Sequence, residues 1–163
     1  LGRLKLEPSS LIAGQINFLD RPIADVAMNF EMIGGDVKAA FSSADIDGKV
    51  SFTQGDSGLS SLTAEFERLS LADPMSSGMD VESDPADLPA LHLYARSFQY
   101  AGVELGETRI EAYPNADGFH FEKVEASSEQ LNVQASGDWS LDEESHRSDF
   151  KINMSSESLG EFL

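Results

Sequence analysis

The fold class is decided by the sequence IDGKVSF at residues 46–52, in which Ile46, Gly48, Val50 and Phe52 alternate with polar residues. Successive side chains of a β-strand point to opposite faces, so a period of two predicts a strand with one face toward a core and the other toward water. The same period recurs at residues 26–32, 91–95, 131–135 and 150–154. These runs together predict an all-β protein.

Turn-forming residues separate the predicted strands at 20–22, 34–36, 55–58, 114–118 and 141–145. Each of these segments contains residues that tolerate a tight or left-handed backbone. Short connections favour an antiparallel meander, because parallel βαβ crossovers need a dozen or more residues each. We therefore expect one curved sheet, either groove-like or sandwich-like.

The acidic segment 73–88 contains Pro74, Gly78 and Pro85, which would interrupt a strand ladder, and it is predicted to be a mobile loop. It separates a first β-meander at 1–72 from a second at 89–163. The two halves are weakly alike, since both read as strand, turn, strand. Residues 156–162 predict a short C-terminal helix, with Ser156 as its cap.

The composition argues against several classes of partner. The 163 residues contain 29 Asp and Glu against 11 Lys and Arg, a net charge of -18, which opposes binding to nucleic acid and to anionic lipid surfaces. The absence of cysteine excludes disulfides, thiolate metal sites and a cysteine nucleophile. No run approaches the roughly 20 apolar residues of a membrane-spanning helix, so any membrane anchor is expected outside this chain.

Two motifs resemble known sites but lack a required member. Residues 45–48, Asp-Ile-Asp-Gly, resemble part of an EF-hand loop, yet Gln54 stands where the bidentate glutamate belongs and no helices are predicted beside it. Residues 55–58, Gly-Asp-Ser-Gly, resemble a serine-protease nucleophile loop, yet Leu59 follows where that family has glycine. We therefore expect no enzyme activity, no metal and no cofactor.

The three histidines also carry no catalytic pattern. His92, His120 and His146 lie in three separate segments, and a catalytic triad is recognised by a geometry that spacing does not supply. His92 and His120 occupy the polar phase of their strands. We expect both to be exposed or hydrogen-bonded.

Five short sequences follow one another after residue 87: LPALHL at 88–93, FQYAGVELGET at 98–108, GFHF at 118–121, GDW at 137–139 and SLGEFL at 158–163. In this order and spacing they resemble the YhdP/AsmA-like family of envelope proteins. The resemblance implies a long periplasmic protein, tethered to the inner membrane by an N-terminal helix, whose β-sheet curls into a groove linked to phospholipid transport toward the outer membrane. It implies structural roles for Gly102, Gly106, Gly137 and Trp139 and no catalytic residue.

We therefore predict that the inward strand faces line one apolar groove for phospholipid acyl chains. Burial of a methylene group yields about 0.8 kcal/mol without directional constraint, so acyl chains could be held and still slide. The predicted groove residues are Met28, Phe30, Val50, Phe52, Leu131, Val133, Phe150 and Ile152.

Two alternatives to lipid binding remain open. One is a structural β-sandwich with a closed core. The other is a carbohydrate-binding module that uses Trp139, Tyr94 and Tyr100. The sheet edges are expected to meet neighbouring segments of a longer chain, or to produce an edge-strand dimer when this chain is isolated, because unpaired ladder groups invite pairing.

Overall fold

The computed structural model describes residues 9–18, 21–33, 35–55, 58–71, 84–142 and 145–156. Ten strands account for nearly all of them, which confirms the all-β prediction. In chain order they are β1 (Ser9–Phe18), β2 (Arg21–Ile33), β3 (Asp36–Ser42), β4 (Ile46–Gly55), β5 (Gly58–Leu71), β6 (Ala90–Tyr100), β7 (Val103–Asn115), β8 (Gly118–Ser127), β9 (Leu131–Asp142) and β10 (Ser145–Ser156).

The strands form one sheet whose spatial order is the chain order, from β1 at one edge to β10 at the other. All neighbouring pairs are antiparallel except β5 and β6, which run parallel. The parallel pair departs from the predicted antiparallel meander. A parallel pair is possible here because the connection between the two strands, residues 72–89, is long enough for β6 to begin beside the start of β5. Ala90 at the start of β6 pairs with Ser61 of β5.

The sheet is a single open layer. Each strand packs mainly on its immediate neighbours, and within the described residues no second sheet covers either face. The sandwich alternative is therefore not the architecture that these residues adopt. In the same part of the chain, no helix is long and apolar enough to cross a membrane.

A 3-10 turn, Pro85–Asp87, lies between β5 and β6 and contacts β7, β8 and β9. Asp84 caps it by accepting a hydrogen bond from the backbone N–H of Ala86 at 2.9 Å. The side chain of Pro85 is fully buried. This turn falls within the predicted loop 73–88, whose earlier part, residues 73–83, lies outside the described residues.

The predicted C-terminal helix over 156–162 also lies outside the described residues, apart from its first position. Ser156 is the last residue of β10 and pairs with Leu131.

Two turns, one in each half of the chain, share one hydrogen-bonding pattern. Between β3 and β4, the backbone N–H of Ser43 donates to the carbonyl of Ile46 at 2.7 Å, and the Ser43 hydroxyl accepts from the N–H of Ile46 at 3.0 Å. Between β8 and β9, Ser128 and Leu131 form the same pair of bonds at 2.8 and 3.1 Å. In both turns the hydrophobic residue that ends the pattern is buried, so each serine fixes where the next strand begins.

Ser43→Ala is expected to lower the free energy of unfolding by about 1 kcal/mol, because the hydroxyl also accepts from the N–H of Asp45 and both donors would lose a partner. Ser128→Ala should cost somewhat less, since one such bond is lost. Urea unfolding followed by the fluorescence of Trp139, the single tryptophan, measures both. Ser42→Ala on the exposed strand surface is the control, and an equal loss in that variant would contradict the role given to the turns.

The connection between β6 and β7 shows why Gly102 is needed. Ala101 and Gly102 have φ values of 50° and 81°, the left-handed pair typical of a two-residue hairpin turn. Gly102 thus has the structural role that the family resemblance implies.

Candidate functional site

The strand register fixes which side chains share a face, because residues directly opposite each other on neighbouring strands point the same way. One row crosses the sheet from β2 to β10 and is apolar at every strand. Its members, which we call the central row, are Phe30, Ala39, Val50, Ala64, Leu93, Ile110, Val124, Ala135 and Ile152.

Two further rows flank the central row on the same face. The first flanking row comprises Met32, Val37, Phe52, Leu62, Leu91, Ala112, Phe121, Gly137 and Phe150. The second comprises Met28, Phe41, Gly48, Phe66, Ala95, Thr108, Ala126, Val133 and Met154.

The three rows together define the apolar face, and Thr108 is their polar member. Its side chain is 2% exposed, and its hydroxyl donates to the carbonyl of Gly106 at 3.3 Å. Among the described residues, no buried side-chain nitrogen or oxygen lacks a hydrogen-bond partner. The apolar face therefore presents no unsatisfied polar group to a ligand.

The register places all eight residues predicted for the groove on this face. Phe30, Val50 and Ile152 belong to the central row, and Met28, Phe52, Val133 and Phe150 belong to the flanking rows. Leu131 lies two residues before Val133 on β9, on the same side of the strand and 9% exposed. Residues from widely separated parts of the sequence thus form one surface.

Burial varies along the apolar face. A core formed by Ile46, Ala64, Phe66, Leu69 and Ala95 is 8% exposed or less. Toward the β10 edge the same face is open: Phe150 is 36% exposed, and Ile152 and Met154 are each 61% exposed. Because a single sheet has no covering layer, burial at its centre arises where neighbouring strands pack their side chains together. The face is buried at this core and accessible at the β10 edge.

The 3-10 turn covers one end of this face. It contacts β7, β8 and β9, and two apolar-face residues of those strands, Ala112 and Phe119, are 0% and 4% exposed. Pro85, within the turn, is also buried. The turn leaves the β10 edge uncovered, as the exposure of Ile152 and Met154 shows.

The opposite face is polar and charged. Its central cross-strand row reads Lys49, Glu65, Tyr94, Arg109 and Glu125. Lys49 Nζ lies 2.7 Å from Glu65 Oε2, with both side chains more than half exposed. Such solvated pairs add little stability. The contrast between the two faces gives the sheet one side for water and one for an apolar ligand or layer.

Glu111, on the polar face, has a hydrogen bond to each of its two carboxylate oxygens. Its Oε2 lies 2.5 Å from His92 Nδ1, and its Oε1 accepts from the Arg109 guanidinium at 2.9 Å. Burial by itself would raise the pKa of Glu111, but the hydrogen bonds from His92 and Arg109 outweigh it and hold that pKa below its ordinary value. His120 is similarly bonded, with Nδ1 2.8 Å from Asp138 Oδ1. Both histidines are thus hydrogen-bonded in the polar phase, as predicted.

The pH dependence of stability should reflect Glu111. A lowered folded-state pKa contributes stability that is present above the unfolded value, about 4.5, and is lost as the pH falls through the folded value. Glu111→Gln should therefore be less stable than the wild type at neutral pH, by up to about 1 kcal/mol, and the difference should vanish in acid. Thermal melts from pH 7 to pH 3 measure this, and a difference independent of pH would contradict it.

A comparison with protein families gives a match over nearly the whole chain. A family model described as YhdP protein matches residues 7–163, well over half of the chain. The chain belongs to the YhdP family. No curated protein and no solved structure gives a significant match.

The aromatic residues of the carbohydrate alternative do not form one site in this YhdP-family chain. Tyr94 lies on the polar face between Glu65 and Arg109, whereas Tyr100 and Trp139 follow the apolar phase, opposite Val103 and Phe119. Sugar stacking needs aromatic rings that share a surface. A shallow polar-face depression of about 510 Å³ includes Tyr94 alone of the three.

The motif at 45–48 has a structural explanation. Asp45 lies in the turn held by Ser43, and Asp47 and Gly48 belong to β4, with Gly48 opposite Phe66 on the apolar face. Within the described residues, no group of three or more histidine and acidic side chains is placed to hold a metal. Ser57 of the other motif lies outside the described residues.

Sequence reasoning missed several members of the apolar face. At three places, two residues that are three positions apart share the apolar face, because a bulge shifts the register between them. The three pairs are Phe66 and Leu69, Ala95 and Phe98, and Phe121 and Val124. Counting by two assigns one member of each pair to the wrong side. The cross-strand match of apolar residues is the signal that identifies them.

Proposed function

We propose that this chain is a non-enzymatic segment of a periplasmic envelope protein that carries phospholipids between the inner and outer membranes, with their acyl chains on the apolar face. The observation that carries the proposal is the set of three cross-strand rows, apolar from β2 to β10 apart from the internally bonded Thr108, on a sheet without a second layer in its described residues. A surface of this kind needs an apolar cover.

The dimensions support acyl chains as that cover. Strands in a sheet lie about 4.8 Å apart, so the nine strands from β2 to β10 extend the rows over roughly 38 Å. Half of a bilayer's hydrocarbon core, the depth of one acyl chain, is about 15 Å. The apolar face is thus longer than one acyl chain, and a chain could move from one group of strands to the next without leaving an apolar surface.

The chemistry of the face supports movement as well as binding. Each methylene removed from water contributes about 0.8 kcal/mol, and this contribution does not depend on direction. Because the strands from β2 to β10 present apolar residues at the same three positions, apart from Thr108 on β7, a shift by one strand exchanges similar contacts. A bound acyl chain would therefore be held on the face, but its binding free energy would have no deep minimum at any one strand.

The charge distribution supports a carrier in which the headgroup stays in water. The polar face bears the ion pairs, and the chain as a whole has a net charge of -18. This charge opposes adsorption to anionic membrane surfaces. The proposal therefore includes an inner-membrane anchor in another part of the protein, and neighbouring segments of the same protein that continue the path.

Native mass spectrometry after detergent-free purification tests the proposal. We expect the protein to carry co-purified phospholipid, and we expect Ile152→Asp to lose most of it. Asn153→Asp is the matched control, because it adds the same charge on the polar side of the same strand. Lipid-free wild-type protein, or equal lipid loss in both variants, would contradict binding on the apolar face.

A further inference from the structure

The 3-10 turn, Pro85–Asp87, lies on the apolar side of the sheet. It contacts β7, β8 and β9, and at this level the apolar-phase residues Ala112 and Phe119 are 0% and 4% exposed. The polar-phase side chains at the same level are open to water, with His120 45% and Asp138 58% exposed. Because only the apolar side of these strands is buried, the turn lies over that side.

A proline, a cap and two backbone hydrogen bonds hold the turn in its conformation. The ring of Pro85 fixes the backbone φ angle, and its side chain is fully buried. Asp84 accepts from the N–H of Ala86 at 2.9 Å. The N–H groups of Asp87 and Leu88 donate to the carbonyls of Asp84 and Pro85 at 3.0 and 3.3 Å. The turn therefore forms a wall at the end of the apolar face that carries the first flanking row.

The surroundings of the turn suit hydrocarbon and not a phosphate group. Among the described residues, no buried side-chain nitrogen or oxygen is left without a partner, so none is free to bind a headgroup there. The charged residues of the turn and its cap, and of the hairpin that joins β7 to β8, are Asp84, Asp87 and Asp117, all acidic. Burial of a charge without a partner is costly, and like charges repel. The covered end of the face therefore accepts methyl and methylene groups and excludes a phospholipid headgroup.

As an inference that rests on the proposed function, we propose that phospholipids crossing β7 to β9 lie with the ends of their acyl chains against this turn and their headgroups pointing away from it. The distance along a strand fits this orientation. From Ala112 to Thr108 on β7 the three rows extend over about 14 Å, at about 3.4 Å per residue. An acyl chain spans about 15 Å, half of a bilayer's hydrocarbon core. A chain laid along the strand from the turn thus covers all three rows.

The turn bounds the lipid path without interrupting it. The central-row residues of the three strands that the turn contacts, Ile110, Val124 and Ala135, are all partly exposed. A lipid in the proposed orientation therefore moves sideways from strand to strand, and the turn keeps its acyl ends at one side of the path.

Two photoreactive forms of one phosphatidylethanolamine test the orientation. One carries a diazirine at the end of an acyl chain, and the other carries it on the headgroup. Each is loaded onto the purified protein, and the labelled residues are located by peptide mass spectrometry. We expect the acyl-end form to label Pro85, Phe119 and Phe121. The headgroup form should label them at least about tenfold less, because a reversed lipid would bury its headgroup without a partner.

Removal of the turn is the second part of the test. The double variant Asp84→Gly with Pro85→Gly lacks both the cap and the proline ring, so the difference between the two forms at Phe119 should disappear. Asp87→Ala removes an exposed carboxylate of the same turn and should keep the difference. Circular dichroism of each variant checks that the sheet is retained.

Two results would overturn the orientation and leave the proposed lipid binding intact. The first is equal labelling of Phe119 by both forms in the wild type. The second is a difference that persists in the double variant. If neither form labels the apolar face, both the proposed function and this inference are wrong.

Discussion

Ile152→Asp is expected to reduce lipid transfer by at least about tenfold while leaving the sheet folded. Ile152 belongs to the central row at the β10 edge and is 61% exposed, so a carboxylate there stays hydrated when the protein is empty. An acyl chain lying over it would desolvate the charge without supplying a partner, which costs several kcal/mol. Transfer of a fluorescent phospholipid between donor and acceptor vesicles measures the effect.

The companion variant Val133→Asp extends the test into the sheet. Val133 lies between Ala126 and Met154 on the apolar face and is more buried than Ile152, so the variant should block transfer and also lower stability. Asn132→Asp, on the exposed side of the same strand, is its control. If Ile152→Asp and Val133→Asp transfer lipid as fast as their controls, acyl chains do not use this face.

Gly137→Ala is expected to lower the free energy of unfolding by about 3 kcal/mol or more, the upper range for overpacking a close contact. A Cβ atom at Gly137 would lie 2.2 Å from the carbonyl oxygen of Asp149 and 2.7 Å from the Cα of Phe150. Backbone atoms cannot move aside as a side chain can, so β9 and β10 would have to separate. The phenyl ring of Phe150 lies over the glycine and packs 5.3 Å from the ring of Phe121.

Gly102→Ala provides the contrast, measured by the same urea unfolding. A Cβ atom at Gly102 meets nothing within 4 Å, so the cost is the left-handed backbone alone, about 1 kcal/mol. The two losses in the free energy of unfolding therefore distinguish the cost of close approach between strands, at Gly137, from the cost of a left-handed backbone, at Gly102. Equal losses in the two variants would show that separation of β9 and β10 is not what destabilises Gly137→Ala.

The alternation of apolar and polar residues was sufficient to predict β2, β4, β6, β9 and β10 and the shared face of the eight residues predicted for the groove. It succeeded because a meander places each strand beside its predecessor, so the inward phase of one strand continues that of the next. His92 and His120 were assigned correctly for the same reason, since polar-phase residues on neighbouring strands supplied Glu111 and Asp138 as partners.

The features that were not predicted depend on long-range geometry. The parallel pairing of β5 and β6 was not predicted, because the composition of residues 72–89 indicates a loop and does not indicate beside which strand β6 begins. The bulges beside Phe66, Ala95 and Phe121 change the spacing from two to three through a local insertion that has no fixed residue signature. The 3-10 turn was missed because proline and acidic residues indicate an exposed loop, yet the turn contacts β7, β8 and β9 and its Pro85 is buried.

The central claim is that acyl chains contact the apolar face and not the polar face. Photocrosslinking from single positions in the purified, lipid-loaded protein tests it most directly, with a diazirine amino acid at Val133 or Ile152 and at their polar-side neighbours Asn132 and Lys151. We predict that Val133 and Ile152 capture phospholipid and that Asn132 and Lys151 do not. Capture of equal strength at all four positions would contradict the claim.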